Sequence, residues 1–156
     1  MTPAVEAARR AGIEFSLAEY EHDPAAESYG LEAAEALGVP GEQVFKTLVA
    51  DVDGKKLAVG LVPVTCSLDL KALAAAVGGR RAVMADAAAA QRATGYVLGG
   101  ISPLGQKRRL PLVLDESATT FDRIYVSAGR RGLEIVLSPT DLLLLTGGAI
   151  AAIARR

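Results

Sequence analysis

The stretch Val44–Ala50 limits the possible folds of this chain more than any other, because it has the composition of a β-strand but carries a lysine and a threonine at its centre. Side chains alternate between the two faces of a strand, so Lys46 and Thr47 lie on opposite faces, each among apolar neighbours. This pattern predicts a strand inside the protein. Burying an unpaired ammonium group is costly. Lys46 is therefore expected to meet an anionic partner, a ligand or a water-filled cleft; the alternative is a lysine that extends from a strand edge to solvent.

A hairpin is predicted directly after this strand. Asp53-Gly54 is a typical two-residue turn sequence, and it leads into Leu57–Val64, which is apolar throughout. The strand with Lys46 is thus expected to pair with a core strand, which favours its own burial.

The rest of the chain mixes helix and strand signals without a regular βαβ alternation. Thr2-Pro3 and Ser138-Pro139 are typical helix starts, and glycines such as Gly12 are typical stops. The predicted strands are Phe15–Glu21, Val44–Ala50, Leu57–Val64, Arg80–Ala85, Pro111–Leu114, Ile124–Ser127 and Leu133–Leu137. Roughly seven strands with four or five helices predict an α+β fold, and the length of 156 residues suits a single domain over residues 1–156.

The residue content argues against several kinds of chemistry. His22 and Cys66 are the only His and Cys and lie far apart, so we expect no metal site, no catalytic triad and no disulfide framework. His22 is predicted to be a surface or loop-bracing residue rather than a catalyst, and Cys66 to pack as a small apolar side chain. The longest apolar stretch, Leu142–Ala154, falls short of the ~18 residues of a membrane span. With no secretory signal recognised, a reducing cytoplasm is the expected compartment.

Charge is distributed unevenly along the chain. Residues 1–53 hold 11 acidic and 3 basic side chains, whereas residues 54–156 hold 7 acidic and 14 basic ones. The basic residues form short clusters: Lys55-Lys56, Arg80-Arg81, Lys107-Arg108-Arg109, Arg130-Arg131 and Arg155-Arg156. These clusters fit a polyanionic partner such as a nucleic acid, or else solvated turns.

The stretch Gly99–Gln106 is the second distinctive feature. Gly99-Gly100 allows the backbone to approach a ligand closely, and Pro103 stiffens the exit. Free N–H groups in such a loop can stabilise an anion or an oxyanion. The alternative interpretation is an ordinary Gly-Pro turn.

Several of these stretches together resemble one family. They are Tyr20–Pro24, Val44–Leu48, Met84–Asp86, Gln91–Tyr96, Gly99–Gln106, Tyr125–Ser127 and Arg131–Glu134. In this order they closely resemble the YbaK family of free-standing Cys-tRNA(Pro) deacylases, which is related to the editing domain inserted in bacterial prolyl-tRNA synthetases. The resemblance extends over nearly the whole chain.

The resemblance implies an α+β fold with a mixed, barrel-like sheet flanked by helices, and neither metal nor cofactor. It implies hydrolysis of mischarged Cys-tRNA(Pro), with Cys-tRNA(Cys) as a further substrate. The implied partners are tRNA and prolyl-tRNA synthetase, not DNA or a membrane. The implied catalytic groups are Lys46, Gly99 and Ser102, and the implied substrate-binding residues are Tyr20, Tyr29, Thr47, Gly100, Ile101, Pro103, Ser127 and Glu134.

Two positions depart from the family pattern. Tyr29 stands where relatives have Phe, and Glu134 stands where they have Asp. If this acid orients the amine of the substrate, its extra methylene moves the carboxyl by about a bond length, and such shifts affect rate.

The resemblance points to a reaction without a protein nucleophile, in which the cysteine thiol of the substrate attacks its own ester. A thiol has a pKa of about 8.5, so some thiolate exists near neutral pH, whereas a serine hydroxyl is far less acidic. On this hypothesis Lys46 contacts phosphate or ribose, the Gly99–Ser102 backbone stabilises the oxyanion, and Tyr20 and Tyr29 are candidates for stacking on RNA bases. Two alternatives are a non-catalytic tRNA- or synthetase-binding module and an enzyme that edits Ala-tRNA(Pro).

Overall fold

The computed structural model describes residues 1–26 and 28–156, and in this part of the chain it contains five α-helices and ten strands. The helices are α1 Pro3–Ala11, α2 Tyr29–Leu37, α3 Leu70–Ala76, α4 Ala87–Thr94 and α5 Pro139–Thr146. The strands are β1 Phe15–Glu19, β2 Val44–Val52, β3 Lys56–Pro63, β4 Ser67–Leu68, β5 Ala82–Met84, β6 Leu112–Asp115, β7 Ile124–Arg130, β8 Leu133–Leu137, β9 Ala149–Ala151 and β10 Ala154–Arg155. All seven predicted strands are present. The three that the sequence did not indicate (β4, β9 and β10) are two or three residues long, too short for a periodic pattern.

Eight of the strands form one mixed sheet in the order β1-β8-β7-β2-β3-β6-β9, with β5 pairing to β2. The β2–β7, β3–β6 and β6–β9 pairs are parallel, and the others are antiparallel. The sheet curls into a half-barrel, so the predicted α+β fold with a mixed, barrel-like sheet is confirmed. In the described ranges, none of the helices is long and apolar enough to cross a membrane.

Strand β2 runs through the interior, as its two apolar faces predicted. Phe45 and Val49 belong to the largest hydrophobic core. Ala50 and Val52 project from the other face into a second core beneath α3. Val44 packs at the opposite end of that face, against α2. Two separate cores therefore flank the half-buried position of Lys46.

The partner of β2 changes along one of its edges. β3 pairs with β2 over its whole length, from Phe45 to Val52. On the opposite edge, β7 pairs only with Val44 and Phe45, whereas β5 pairs only with residues 50–52. Residues 46–49 therefore have no strand partner on this edge, and the sheet opens beside Lys46.

The hairpin between β2 and β3 is confirmed, although its connection is longer than predicted. Asp53 and Gly54 have φ angles of 57° and 65°, and the Lys55 N–H donates to the Val52 carbonyl at 3.0 Å. Because Val52 pairs with Lys56, three residues rather than two connect the strands. The left-handed backbone at Asp53 is held in place by its own carboxylate, which accepts a hydrogen bond from the N–H of Arg81 at 2.8 Å.

A buried carboxylate fastens the end of the chain to the sheet. Asp115, at the end of β6, accepts hydrogen bonds from the N–H groups of Ile153 and Ala154, both at 2.9 Å, and of Ser117 at 3.1 Å. Burial alone would raise the pKa of Asp115, but the hydrogen bonds from Ser117, Ile153 and Ala154 outweigh it and the pKa is lowered. Asp115 is therefore ionised at neutral pH and satisfies three backbone donors.

Replacing Asp115 by Ala should destabilise the fold by about 1–3 kcal/mol at pH 7, because it leaves buried N–H groups without an acceptor. Since the folded-state pKa of Asp115 is lowered, its contribution is present above the carboxyl range and is lost as the pH falls through the folded pKa. Urea unfolding at pH 7 and in acid measures both effects. The exposed Asp122→Ala is the control and should change stability by less than about 0.5 kcal/mol. Equal losses in the two variants would contradict the assigned role.

Candidate functional site

A cleft of about 260 Å³ lies where the sheet opens beside β2. Four neighbouring strands place polar side chains on this face. In strand order these are Tyr20 after β1, Glu134 on β8, Ser127 on β7 and Lys46 on β2. Ser127 pairs directly with Glu134, and Ala18, two residues before Tyr20, pairs with Glu134 from the other side. Pairing register therefore gathers side chains that are up to 114 positions apart in the sequence.

Lys46 has no counter-ion among the described residues. The three ion pairs of residues 1–26 and 28–156 involve other side chains, and no acceptor lies within hydrogen-bond distance of its ammonium. Burial lowers the pKa of Lys46, and an electrostatic interaction with the nearby Cys66 partly offsets this effect. The half-buried lysine thus faces a cleft, one of the three surroundings that the sequence predicted for it.

Glu134 is a buried acid in the same cleft, with only 6% of its surface exposed. Burial raises the pKa of Glu134 to about 8, so the carboxyl is protonated at neutral pH. It makes no ion pair or hydrogen bond with the side chains that the structure describes. Burial also raises the pKa of Tyr20, and the neighbouring Glu134 raises it further, so the hydroxyl keeps its proton. A cation entering beside Glu134 would favour its ionised form.

The loop from Tyr96 to Leu104 forms another wall of the cleft. The buried Tyr96 hydroxyl donates to the Leu104 carbonyl at 2.6 Å and closes the loop at its base. Burial raises the pKa of Tyr96 to about 12, so the hydroxyl stays protonated at neutral pH and can donate this hydrogen bond. Of the predicted loop residues, Gly99 and Ile101 line the cleft.

Three predicted loop residues lie outside the lining of the cleft. Ser102 is fully buried, and its hydroxyl accepts the Leu104 N–H at 3.2 Å. Pro103 lines a different cavity, beside α1. Gly100 is also buried, and its N–H donates to the Val97 carbonyl at 3.0 Å, within a turn of the loop.

The backbone donors that this wall still offers are those of Gly99 and Ile101. In the part of the chain that the structure describes, neither N–H donates to a protein acceptor, whereas the Gly100 N–H is already engaged. Backbone N–H groups without a protein partner can stabilise a developing oxyanion. The loop therefore has two candidate donors at the cleft.

The mouth of the cleft is closed on one side by Tyr29 and Arg131, a pair that we call the Tyr29–Arg131 clasp. The guanidinium carbon of Arg131 lies 3.9 Å from the centre of the Tyr29 ring, and its Nη2 donates to the Leu98 carbonyl at 3.2 Å. A Cβ on Gly99 would come within 2.7 Å of Tyr29 and 2.8 Å of Arg131. From the sequence, we expected a glycine here so that a ligand could approach the backbone. In the structure, the space next to the Gly99 Cα is occupied by the Tyr29–Arg131 clasp.

Sequence analysis did not identify Arg131 as a site residue. It placed Arg131 only in a basic cluster and in the family-like stretch Arg131–Glu134, without a role at the site. The contact with Tyr29, about a hundred residues earlier in the chain, depends on tertiary packing that no local pattern shows.

His22 also contacts Tyr29. Its ring meets the Tyr29 ring edge to face at 5.5 Å, and its Nδ1 forms a hydrogen bond with Glu32 at 2.8 Å. The predicted role of His22 as a loop brace is confirmed by these contacts. Residues 1–26 and 28–156 contain no cluster of three or more His, Cys, Asp or Glu that could hold a metal ion.

Two hydroxyl residues complete the predicted set. Ser127 accepts the Gly129 N–H at 3.1 Å and so supports the irregularity in β7, where the register shifts before Arg130. Thr47 also lines the cleft, and its buried hydroxyl has no partner among the described residues.

The chain belongs to the family of aminoacyl-tRNA editing domains. The model of that family matches residues 23–145, which include every residue of the cleft named above except Tyr20, and the resemblance to the YbaK family is confirmed. Among its relatives is EbsC of Enterococcus faecalis strain ATCC 700802 / V583, a candidate Cys-tRNA(Pro)/Cys-tRNA(Cys) deacylase. The two are 40% identical over 123 residues, which cover 79% of this chain and 75% of EbsC. ProXp-y of Escherichia coli strain K12, a multifunctional Ser/Thr-tRNA deacylase, is 30% identical over 85% of this chain and 79% of its own length.

Solved structures agree with this assignment. A candidate trans-editing enzyme for prolyl-tRNA synthetase matches with a TM-score of 0.85 and 28% identity, over 99% of this chain and 96% of that one. The hypothetical protein APE2540 matches with a TM-score of 0.87 and 23% identity, over 98% and 99% of the two chains, and supports the fold alone.

Replacing Glu134 by Gln should stabilise the fold increasingly as the pH rises. The unfolded chain loses the Glu134 proton in the ordinary carboxyl range near pH 4.5, whereas the folded chain keeps it until about pH 8. Wild-type stability therefore falls over this window and levels off above it, while Gln has no proton to lose. The advantage of the variant should grow to roughly a few kcal/mol between pH 4.5 and pH 8.

Urea unfolding across this pH range measures the difference, with the exposed Glu35→Gln as the matched control. A difference between Glu134→Gln and wild type that does not change with pH would contradict the protonated state of the buried acid.

Replacing Gly99 by Ala should disturb the Tyr29–Arg131 clasp. Gly99 has a φ of 85°, where Ala costs about 1–2 kcal/mol, and the new Cβ would also clash with both members of the clasp. Gly12→Ala is the control, because Gly12 has a φ of 71° but nothing within 4 Å of its added Cβ. Both variants should lose stability, but only Gly99→Ala should shift the NMR signals of the Tyr29 ring and the Arg131 Nε. Unchanged signals in Gly99→Ala would argue against the clasp.

Proposed function

We propose that this chain is a trans-acting aminoacyl-tRNA deacylase that hydrolyses Cys-tRNA(Pro), and also Cys-tRNA(Cys), as one editing domain. One observation carries the proposal: Lys46 and Glu134 face one cleft, and neither has a partner among the described residues. An unpartnered cationic group and an unpartnered acid in one cleft call for a ligand with an anionic end and a cationic end. Membership of the editing-domain family and the similarity to EbsC support the same conclusion.

An aminoacyl ester of tRNA has both ends. Its α-ammonium would lower the pKa of Glu134, so that the carboxyl releases its proton to solvent and pairs with the cation as a carboxylate. Its ribose and terminal phosphate would lie towards Lys46. Tyr20 keeps its phenolic proton and can donate to the substrate beside Glu134. Ser127, on the strand between these ends, and Thr47, next to Lys46 on β2, also line the cleft.

The oxyanion would form next to the loop wall. Gly99 and Ile101 are the proposed donors, because the Gly100 N–H is engaged with Val97 and Ser102 lies outside the lining of the cleft. Ser102 instead supports the loop by accepting the Leu104 N–H. Such backbone donors act on charge that develops in the transition state.

The proposed chemistry uses the substrate as its own nucleophile. The cysteine sulfur attacks the ester carbonyl, a C–S bond forms, and the bond from the carbonyl carbon to the ribose oxygen breaks. The ribose oxygen takes up a proton equivalent to the one that left the thiol. Water then hydrolyses the resulting thiolactone to free cysteine. The cleft has only to hold sulfur and carbonyl together and to stabilise the oxyanion.

A second candidate activity is deacylation of Ser-tRNA or Thr-tRNA. The 30% identity with ProXp-y of E. coli favours it. These substrates lack a thiol, so water would have to attack the ester directly.

The proposed setting is the cytoplasm, beside prolyl-tRNA synthetase. Similarity to a candidate trans-editing enzyme for that synthetase supports the pairing. Adding prolyl-tRNA synthetase to the deacylation assay tests it, since a functional complex would lower the KM for Cys-tRNA(Pro).

Wild-type protein should release cysteine from Cys-tRNA(Pro) much faster than it releases alanine, serine or threonine from the same tRNA. Lys46→Ala should lower kcat/KM by about 100-fold, because it removes a half-buried charge that contacts the substrate. Lys71→Ala, at an exposed position of α3, should leave the rate unchanged. Release of the labelled amino acid measures all of these rates.

Each other outcome points to a different function. Equal rates with serine or alanine would rule out attack by the substrate thiol. RNA binding without cleavage of any ester would indicate a non-catalytic binding module. A Lys46→Ala variant as active as wild type would remove Lys46 from the mechanism.

A further inference from the structure

The position of the terminal base follows from the proposed function, on which this inference rests. The scissile ester joins the aminoacyl group to the ribose of the last nucleotide. If the aminoacyl group lies between Glu134 and the loop wall, the ribose lies at the mouth and the base lies just beyond it. The residues at this mouth include Tyr29, Leu98 and Arg131.

Arg131 presents a flat cationic surface at this point. One face of its guanidinium covers the Tyr29 ring at 3.9 Å, while the residue as a whole is exposed. The hydrogen bond to the Leu98 carbonyl at 3.2 Å fixes its orientation. Arg131 makes no ion pair in residues 1–26 and 28–156, unlike Arg130, which lies 3.8 Å from Glu19. Its outer face is therefore available and preorganised.

We propose that Arg131 binds the terminal base of the RNA by stacking, with Tyr29 as the layer beneath it. Unpaired RNA bases stack on aromatic rings and on guanidinium planes, and a cation over a ring adds a cation–π attraction. Arg131 covers one face of the Tyr29 ring and is itself exposed, so a base that arrives from solvent on this side meets the guanidinium rather than the tyrosine. Lysine at this position would keep the charge but lose the plane.

Two other roles of Arg131 give different results. If it only contacts a phosphate, its effect depends on charge and not on the presence of a base. If it only closes the mouth, its replacement weakens the binding of every RNA by the same factor. A cycle that combines Arg131→Lys with removal of the terminal base separates these roles from stacking.

The probe is an uncharged RNA hairpin with a single-stranded 3′ CCA end, beside the same hairpin with an abasic terminal nucleotide. Wild-type protein should bind the first about tenfold more tightly, as expected for one stacked base. In Arg131→Lys this ratio should fall to near one, with the salt dependence of binding unchanged. Arg130→Lys is the control and should keep the tenfold ratio.

A ratio that survives in Arg131→Lys would overturn the proposal, and so would a wild-type ratio near one. The wild-type protein alone gives a second readout that does not depend on the folding of a variant. RNA with 2-aminopurine as its terminal base should change its fluorescence on binding, and an unchanged signal would also contradict stacking.

Failure of this inference can be distinguished from failure of the proposed function. If wild type releases cysteine but binds the intact and abasic hairpins equally well, the proposed deacylase activity is supported and the stacking role of Arg131 is ruled out. A tenfold ratio in a protein that cleaves no aminoacyl ester would leave Arg131 as a residue that binds RNA ends and remove the deacylase.

Discussion

The site depends on a change of partner along β2. The strand is paired to β3 throughout, but on its other edge it leaves β7 after Phe45 and meets β5 only at Ala50. Between these points the sheet opens, and Lys46 lies at the opening instead of inside a continuous ladder. A buried ammonium group within a fully paired sheet would need a protein counter-ion. The gap in strand pairing provides a cleft instead of a counter-ion. The two hydrophobic cores on either side hold β2 in position.

The electrostatics of the cleft follow from this arrangement. Lys46 and Glu134 extend from β2 and β8, which are separated by β7, so Ser127 lies on the strand between them and they form no ion pair. Glu134 stays protonated in the free protein, and its charge would form only when a cation arrives. The buried acid lowers stability at neutral pH, as groups reserved for a ligand commonly do. The proposed deacylation makes use of both unpaired groups.

Much of the fold could be predicted from local sequence, because strong turn and strand signals coincide with it. Asp53-Gly54, between the strand-like Val44–Ala50 and the apolar Leu57–Val64, was sufficient to predict the central hairpin. The clasp could not be predicted, since Tyr29 and Arg131 meet only through tertiary packing. Ser102 was grouped with the loop donors because sequence order does not show which loop residues turn inward. The state of Glu134 also depends on burial by strands distant in sequence.

The central claim is that the Glu134 carboxyl binds the amine of an aminoacyl ester while Lys46 holds its nucleotide end. A substrate without the amine, 3-mercaptopropionyl-tRNA(Pro), tests it most directly because it keeps the thiol and the ester. Loss of the amine should lower kcat/KM by about 100-fold in wild type and by little in Glu134→Gln, since the amine and the acid act as a pair. An equal loss in both proteins would show that Glu134 does not bind the amine and would contradict the account.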